Sequence, residues 1–224
     1  MVATEVIVLA TTVKHMIPER LLRRRLPSAA GRAVLLTFDD GPTTGVTEGV
    51  LDRLDAVGAR AVFFLLGRKI PAAPGLPAEI LERGHLLGNH SHDHDSRRWQ
   101  APGFWRSDLR RCSDLIVQYS GAPCRFYRPP EGKITPLTLL GPPAAGLQHV
   151  QWSLDSDDWS ARSADEARAR GRDAADRAAA GDIILCHDFD AVVHEMLDVL
   201  LPRLVDAGFD LAAGCAALPG GEAP

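Results

Sequence analysis

Residues 33–42 read AVLLTFDDGP, an apolar run that ends in two neighbouring carboxylates and a Gly-Pro turn. A continuous apolar run of this kind is typical of a strand that is covered on both faces. Such a strand delivers Asp39 and Asp40 to the edge of a sheet, where loops converge and ligands bind. Because neighbouring strand residues point to opposite sides, we expect one carboxylate to grip a cation and the other to face the reacting molecule.

Outward from this stretch, helical periodicity alternates with further apolar runs. Apolar residues recur at helical spacing over 46–57 and stop at Gly58, and the run 61–66 (AVFFLL) follows. The same patterns predict further helices over 78–83, 105–119, 163–180 and 192–204, and further strands over 84–88, 124–127, 149–152, 182–186 and 209–213. Since the candidate catalytic residues fall at or after the carboxyl ends of predicted strands, the sequence predicts an α/β fold with the plan of a β/α barrel.

The length and composition of the chain predict a single domain. With 224 residues the chain can form one sizeable core, and nothing in its composition marks a second one. We expect an N-terminal lead-in segment over 1–32, a catalytic domain over 33–218 and a tail over 219–224. The basic patch at 23–25 within the lead-in predicts a solvated surface helix.

Charge, cysteines and hydropathy narrow the class of partner. The formal net charge is -4 at pH 7 and the arginines are scattered, so no basic stripe indicates nucleic acid as a partner. The four cysteines lack paired spacing, which favours buried thiols and leaves a bridge between Cys112 and Cys124 open. The apolar stretch 6–10 is too short for a transmembrane segment and lacks the features of an export signal. The sequence leaves the cellular compartment of the protein open. It also does not specify the oligomeric state.

A histidine cluster at 90–94 (HSHDH) is the second chemical feature of the chain. His90 and His94 are four residues apart, and on one turn of a helix their imidazoles would project from the same face. Together with Asp40 they form a set of two histidines and one carboxylate, which leaves positions open for water and substrate and is typical of catalytic metal sites. One divalent cation is therefore predicted, with zinc first and cobalt, nickel, manganese or iron as alternatives.

Five short motifs in fixed order resemble those of the polysaccharide deacetylase family, the NodB-like domain of carbohydrate esterase family four. In this chain the motifs are 37–42 (TFDDGP), 90–94 (HSHDH), 128–132 (RPPEG), 155–159 (DSDDW) and 184–188 (ILCHD). The resemblance covers about residues 33–218 and implies a distorted seven-stranded barrel, (β/α)7. It also implies metal-dependent removal of an acetyl group from a sugar, usually the amide of N-acetylglucosamine in a polysaccharide or oligosaccharide.

The resemblance also implies a role for the residues of the first three motifs. Asp39 would be the general base, and Asp40, His90 and His94 would hold the metal. Arg128 is similar to the family arginine that pairs with the base and keeps it ionised and aimed. A bound divalent ion lowers the pKa of its water toward about 7 and polarises the substrate carbonyl, so the base has to accept only a weakly held proton.

The later motifs supply the remaining roles of an amide hydrolase. Expulsion of an amine requires a proton, and we expect His187 to give it, with Asp155 holding the imidazole and favouring its protonated form. The backbone N–H of Glu131 is the expected oxyanion donor, because the two prolines before it have no N–H to offer. Trp159 and Leu185 are expected to line the small pocket that receives the acetyl methyl.

Several alternatives remain open at this point. Glu131 stands where the family commonly has an aromatic residue, and its carboxylate leads to the hypothesis that substrates with free amines are favoured. Trp99 and Trp105 fit either a stacking platform or the core, and His92 is more typical of a residue behind the ligands or facing solvent than of a ligand. An O-acetyl esterase, a deformylase on another acylated sugar and a non-catalytic carbohydrate-binding relative are the alternative functions, and the polymer is not specified by the motifs.

Overall fold

The computed structural model of the chain describes residues 17–95, 98 and 101–221. In that part of the chain, seven parallel strands form one curled sheet, which confirms the predicted α/β fold and its distorted half-barrel form. The strands are β1 (Leu35–Asp39), β2 (Ala61–Leu65), β3 (Leu86–Asn89), β4 (Phe126–Tyr127), β5 (Gln148–His149), β6 (Leu154–Asp155) and β7 (Ile183–His187). Their spatial order is β5-β4-β3-β2-β1-β7-β6, so β1 lies in the interior of the sheet with β2 and β7 beside it.

The central strands are covered on both faces, as their continuous apolar runs predict. Every residue of β1 and of β2 is buried, and the rings of Phe38 and Phe63 stack with centroids 5.0 Å apart. The parallel register sets Asp39 beside Phe64 on one side and beside His187 on the other. The carboxyl ends of β1 and β7 therefore bring the predicted base and the predicted acid to the same edge of the sheet.

The helices cover the sheet and follow the predicted pattern in most places. They are α1 (Thr47–Ala56), α2 (Leu76–Glu82), α3 (Pro102–Ser120), α4 (Pro136–Ala144), α5 (Ala164–Arg177), α6 (Val192–Asp206) and α7 (Ala213–Ala216). The Ala-rich α5 packs closely on α6, because a Cβ added at Gly171 would lie 2.5 Å from the carbonyl oxygen of Met196. Pro202 lies inside α6 and does not end the helix.

The predicted strand over 149–152 is confirmed only at its start: His149 belongs to β5 and Val150 forms an isolated bridge with Arg23. The chain then crosses to the other end of the sheet order. β5 pairs with β4 and β6 pairs with β7, and the residues between them belong to neither ladder. The buried guanidinium of Arg128 satisfies this crossing backbone: its Nε donates to the carbonyl of Val150 at 3.1 Å and its Nη2 to that of Gln151 at 3.0 Å. A side chain from another motif thus supplies the donors for these two carbonyls, while the N–H groups of Val150 and Gln151 donate to the backbone carbonyls of Tyr127 and Arg23.

Both flanks of the domain also differ from the predictions. Residues 23–25 are not a surface helix: the N–H of Arg23 donates to the carbonyl of His149, and the carbonyl of Arg23 accepts from Gln151, which adds an extended segment beside β5. The predicted strand over 209–213 is wrong, because the Asp210 carboxylate accepts the N–H groups of Ala212 and Ala213 and begins the short α7. The apolar stretch 6–10 lies outside the described residues.

Two composition-based expectations can be compared with the described part of the chain. All four cysteines there are free thiols, including Cys112 and Cys124, and three of the four are buried. Burial raises the pKa of the Cys124 and Cys215 thiols to about 12, which suits packing rather than reactivity. Across the helices described, none combines the length and the apolar character that a membrane crossing requires.

Candidate active site

A cleft of about 370 Å³ opens at the carboxyl ends of the strands. It brings together every residue that the sequence predicts for the site except Arg128, which lies buried beneath it. The lining residues are Asp39, Asp40, His90, His94, Glu131, Gly132, Trp152, Asp155, Trp159, Leu185, His187 and Phe189. Trp152, Gly132 and Phe189 are additions that the sequence did not indicate.

The two neighbouring carboxylates face the same imidazole. Asp40 follows the end of β1 with φ 72, a left-handed conformation that rotates its side chain away from strand alternation. The Nε2 atom of His90 lies 3.6 Å from Asp39 Oδ2 and 3.6 Å from Asp40 Oδ1. The prediction that the two carboxylates point to opposite sides is therefore wrong, although the structure keeps them in different surroundings.

The histidine cluster lies on a loop and not on a helix, which corrects the helical spacing argument. Ser91 and His94 have φ values of 75 and 57, and these left-handed residues turn the chain tightly. Asn89 Oδ1 accepts the N–H of Ser91 at 2.7 Å, and Ser91 Oγ accepts the N–H of His94 at 3.0 Å. The turn brings His94 Nε2 to 3.3 Å from Asp40 Oδ1, so the predicted ligands still converge.

The residues at this point fit a divalent cation. One ligand atom each from Asp40, His90 and His94 lies within 4.8 Å of the others, and the buried Asp40 Oδ1 has no hydrogen-bond partner among the described residues. His90 Nδ1 donates to the carbonyl of Arg128 at 2.9 Å, which leaves the Nε2 lone pair for the cleft. Burial alone would raise the pKa of Asp40, but the two imidazoles lower it overall; burial and His90 lower the pKa of His94. Both shifts favour the ligand forms, an ionised carboxylate and a neutral imidazole.

The side chain of His92 is not part of the Asp40, His90 and His94 group, in agreement with the prediction that His92 is not a ligand. Its Nδ1 lies 2.6 Å from Asp93 Oδ1, and its backbone N–H donates to Asp108 Oδ2 at 3.0 Å. The other carboxylate oxygen of Asp108 accepts the N–H of Asp93 at 3.0 Å. Asp108, which belongs to α3, thus fixes the back of the loop, a role that the sequence did not indicate.

The predicted contact between Arg128 and Asp39 is present and fully buried. Nη1 of Arg128 donates to Asp39 Oδ1 at 2.7 Å and to Thr37 Oγ1 at 2.8 Å. The guanidinium also lies 4.2 Å above the ring of Phe64. Because one oxygen of Asp39 is held in this way, the carboxylate has a fixed direction and its Oδ2 atom is presented toward His90.

His187 is held by Asp158 and not by Asp155, which corrects the sequence-based assignment. Nδ1 of His187 donates to Asp158 Oδ1 at 2.8 Å, and Asp158 Oδ2 accepts the backbone N–H of His187 at 2.7 Å. Asp155 instead accepts the N–H of Asp157 at 2.9 Å within its own turn. Burial lowers the pKa of His187, but the hydrogen bond and charge of Asp158 outweigh it and raise the pKa to about 9.

Aromatic side chains form the walls of the cleft. Trp159 is 50% exposed and Phe189 is 39% exposed, whereas Leu185 lies buried at the base. Trp152 packs against the turn that carries Glu131, since a Cβ added at Gly132 would lie 2.4 Å from the Trp152 ring. Exposed aromatic faces beside a polar base suit the stacking of sugar rings.

Two residues whose alternatives the sequence left open lie elsewhere. Trp105 is buried in the core, edge-on to Tyr127 with ring centroids 6.4 Å apart, so it does not form an exposed platform. Trp99 lies outside the described residues.

Asp188, the last residue of the fifth motif, supports the turn that carries Asp40. Its Oδ2 accepts the hydroxyl of Thr47 at 2.6 Å, and its backbone N–H donates to the carbonyl of Asp39 at 3.1 Å. A Cβ added at Gly41 would lie 2.1 Å from that same carboxylate oxygen, so only glycine fits there. Burial raises the pKa of Asp188 to about 7 although the Thr47 hydrogen bond opposes it. The sequence placed Asp188 in a motif but gave it no role.

Comparison with known sequences agrees with this geometry. A family model described as polysaccharide deacetylase matches residues 27–150, more than half of the chain. The chain is 31% identical over 198 residues to the peptidoglycan-N-acetylglucosamine deacetylase PgdA of Listeria monocytogenes. The aligned region covers 88% of this chain and 41% of that protein. It is also 31% identical over 159 residues to a chitooligosaccharide deacetylase of Azorhizobium caulinodans, with 70% of this chain and 73% of that protein covered. The chain thus spans about two fifths of the length of PgdA.

Comparison with solved structures gives the same picture. The crystal structure of the Bc1960 peptidoglycan N-acetylglucosamine deacetylase, in complex with a naphthalenyl N-oxidanyl-benzamide, superposes with a TM-score of 0.76 at 29% identity. The match covers 83% of this chain and 87% of that one. The overall architecture is therefore shared with that solved structure.

Proposed function

We propose, from the premise that this chain belongs to the polysaccharide deacetylase family, that it is a metal-dependent hydrolase of N-acetylated sugars. The expected substrate is N-acetylglucosamine within a polysaccharide or oligosaccharide, peptidoglycan or chitin-like, and the products are acetate and the free amine. The observation that carries the proposal is one cleft that combines a candidate cation-binding triad, an arginine-held carboxylate and an aspartate-held imidazole.

The metal would be held by Asp40, His90 and His94, whose ligand atoms already converge. A cation bound there would supply Lewis acidity, which lowers the pKa of water and polarises the acyl carbonyl. Zinc is the first expectation for two histidines and one carboxylate, and cobalt, nickel, manganese and iron are alternatives.

Asp39 would act as the general base. Its Oδ1 atom is occupied by the guanidinium of Arg128, so Oδ2 is the atom that can accept a proton from the attacking water. The direction of Oδ2 toward His90 places this acceptor beside the metal triad. As water adds to the acyl carbon, the carbonyl oxygen becomes negative, and we assign the backbone N–H of Glu131 as a donor to it.

His187 would act as the general acid. Because Asp158 holds the pKa of His187 near 9, the imidazole is protonated at neutral pH and has a proton to give. When the C–N bond breaks, the sugar nitrogen takes this proton from His187 and leaves as an amine, and the acyl group leaves as acetate. Trp159 and Leu185 would flank the acetyl methyl during this step, and Asp155, the register partner of Leu185 on the adjacent strand, also lines the cleft.

The decisive experiment measures acetate release with and without a chelator. Chitooligosaccharides, peptidoglycan and acetylated xylan serve as substrates, and zinc, cobalt, nickel, manganese and iron are added back in turn. We expect release from the N-acetylated substrates, loss with the chelator and recovery with zinc. Release from acetylated xylan alone would instead identify an O-acetyl esterase, formate release from N-formylated sugars would identify a deformylase, and no acyl release from any substrate would favour a carbohydrate-binding protein.

A further inference from the structure

We propose that the Glu131 side chain makes this site selective for sugars that carry a protonated free amine next to the acetamide to be cleaved. The inference rests on the proposed function and assigns a specificity role to a side chain whose backbone we place at the oxyanion. It starts from the position of Glu131 on the edge of the cleft, 51% exposed at its side chain and facing the space that the sugar chain would occupy.

The backbone fixes Glu131 at this position. It has φ 55 inside the short turn Pro130–Gly132, and Gly132 continues the turn in the left-handed region while it packs against Trp152. Glu131 also lines the same cleft as Asp40, His90 and His94. A negative charge is thereby held within reach of a substrate whose acetamide lies at the triad.

The other charges at the cleft already have dedicated counterparts. Asp39 is paired with Arg128, His187 with Asp158, and Asp40 belongs to the candidate cation triad. The carboxylate of Asp155, which also lines the cleft, accepts the N–H of Asp157 within its own turn. The counterpart of the Glu131 carboxylate is instead a solvent-exposed ammonium: Oε2 of Glu131 lies 2.7 Å from Nζ of Lys133. This ammonium is the same chemical group as a protonated sugar amine, so its position demonstrates that a –NH₃⁺ group can reach Glu131 at hydrogen-bonding distance.

The pair between Glu131 and Lys133 can be exchanged for a pair with the substrate. Both side chains are about half exposed, at 51% and 49%, and solvent-exposed ion pairs contribute little net free energy because water and salt screen them. Lys133 can therefore turn into solvent while the ammonium of a bound sugar takes its place. An anionic substituent on the neighbouring sugar would instead be repelled by the same carboxylate.

The selectivity would link successive reactions on one polymer. Each deacetylation creates an amine, and that amine becomes the group that Glu131 recognises when the next acetamide is positioned at the triad. A reaction that supplies the first amine would therefore accelerate those that follow, and deacetylated sugars would accumulate in runs.

Two defined oligosaccharides test the inference. One is a fully N-acetylated chitotetraose, and the other is the same chain with a single glucosamine next to the acetamide that is cleaved. For the zinc-loaded protein we expect kcat/KM to be about 2- to 5-fold higher on the second, the effect of one screened charge pair. Glu131→Gln should bring this ratio close to 1, whereas Glu82→Gln, which removes an exposed carboxylate at the end of α2, should keep the wild-type ratio.

The variant Lys133→Met gives a second, independent test of the inference. It removes the competing ammonium, and we expect it to raise the preference for the amine-bearing chain above that of the wild type. A ratio near 1 in the wild type, or an unchanged ratio in Glu131→Gln while acetate is still released, would overturn this inference and leave the proposed function standing. Absence of acetate from both oligosaccharides would overturn the proposed function, and this inference with it.

Discussion

Two ion pairs of the same length lie at the floor and at the rim of the cleft. The floor pair joins Arg128 to Asp39, and the rim pair joins Lys133 to Glu131; both span 2.7 Å between nitrogen and oxygen. Their side chains are 0% and 4% exposed at the floor but 49% and 51% exposed at the rim. The contrast teaches that burial, and not distance, decides whether a charge pair organises a site or merely adjusts it.

The largest expected effect comes from breaking the floor pair. Arg128→Met would leave Asp39 buried without its partner and the carbonyls of Val150 and Gln151 without donors, so we expect a loss of about 3–5 kcal/mol in the free energy of unfolding. Chemical denaturation followed by circular dichroism measures this change. The matched control is Lys133→Met at the rim, with an expected change within about 1 kcal/mol. Equal losses in the two variants would contradict the comparison.

The second prediction concerns the proposed catalytic roles of Asp39 and His187, and Arg128 is left in place. Asp39→Asn keeps the shape of the side chain but removes the proton acceptor, and we expect turnover to fall by about 10²- to 10⁴-fold. His187→Ala should lower turnover over a similar range because it removes the proton donor. Metal content, measured by mass spectrometry, should stay at one equivalent in both variants. Turnover equal to that of the wild type in either variant would refute the role of that residue.

The third test concerns the charge partner of His187. With a pKa near 9 the imidazole holds its proton below that pH, so turnover should decline as pH rises through about 9. Asp158→Asn removes the interaction that raises this pKa, and the alkaline limb of the pH profile should move to lower pH. Asp155→Asn is the control, with a smaller expected displacement because Asp155 makes no hydrogen bond to His187. A larger displacement in Asp155→Asn would restore the original assignment.

The smallest expected effect is the dependence of the two ion pairs on ionic strength. Raising the salt from about 0.05 M to about 0.5 M shortens the screening length well below 10 Å, which weakens exposed charge pairs far more than buried ones. We expect the preference for the amine-bearing oligosaccharide to fall with salt, while the free energy lost on Arg128→Met changes little. A preference that is constant over this range would place the discrimination somewhere other than the rim pair.

Sequence reasoning succeeded where an element is specified by its own residues. The apolar runs of β1, β2 and β7 predict buried parallel strands, and parallel strands bring their carboxyl ends to one edge, so Asp39 and His187 could be placed together before the structure was known. The helices with clear periodicity, α1 and α3, were also predicted within a few residues. These features need no information from distant parts of the chain.

The errors lie where a distant side chain decides the local backbone. The 149–152 stretch has the composition of a strand, but it pairs as one only at its start, and Arg128 donates to the carbonyls of Val150 and Gln151 where the chain leaves β5. Within 155–159 the sequence offers three carboxylates of one type, and only the turn around Asp157 determines that Asp158 reaches His187. The left-handed conformations at 40, 91 and 94 are likewise features that hydrophobic periodicity does not encode.

Arg128 binds both Asp39, the proposed proton acceptor, and the seam where the chain passes from one end of the sheet to the other. A partly folded chain in which that seam is still open would therefore lack an oriented Asp39 as well. Under the proposed mechanism, competence for hydrolysis would therefore depend on the closure of this seam. A single guanidinium would link the assembly of the sheet to the orientation of the base.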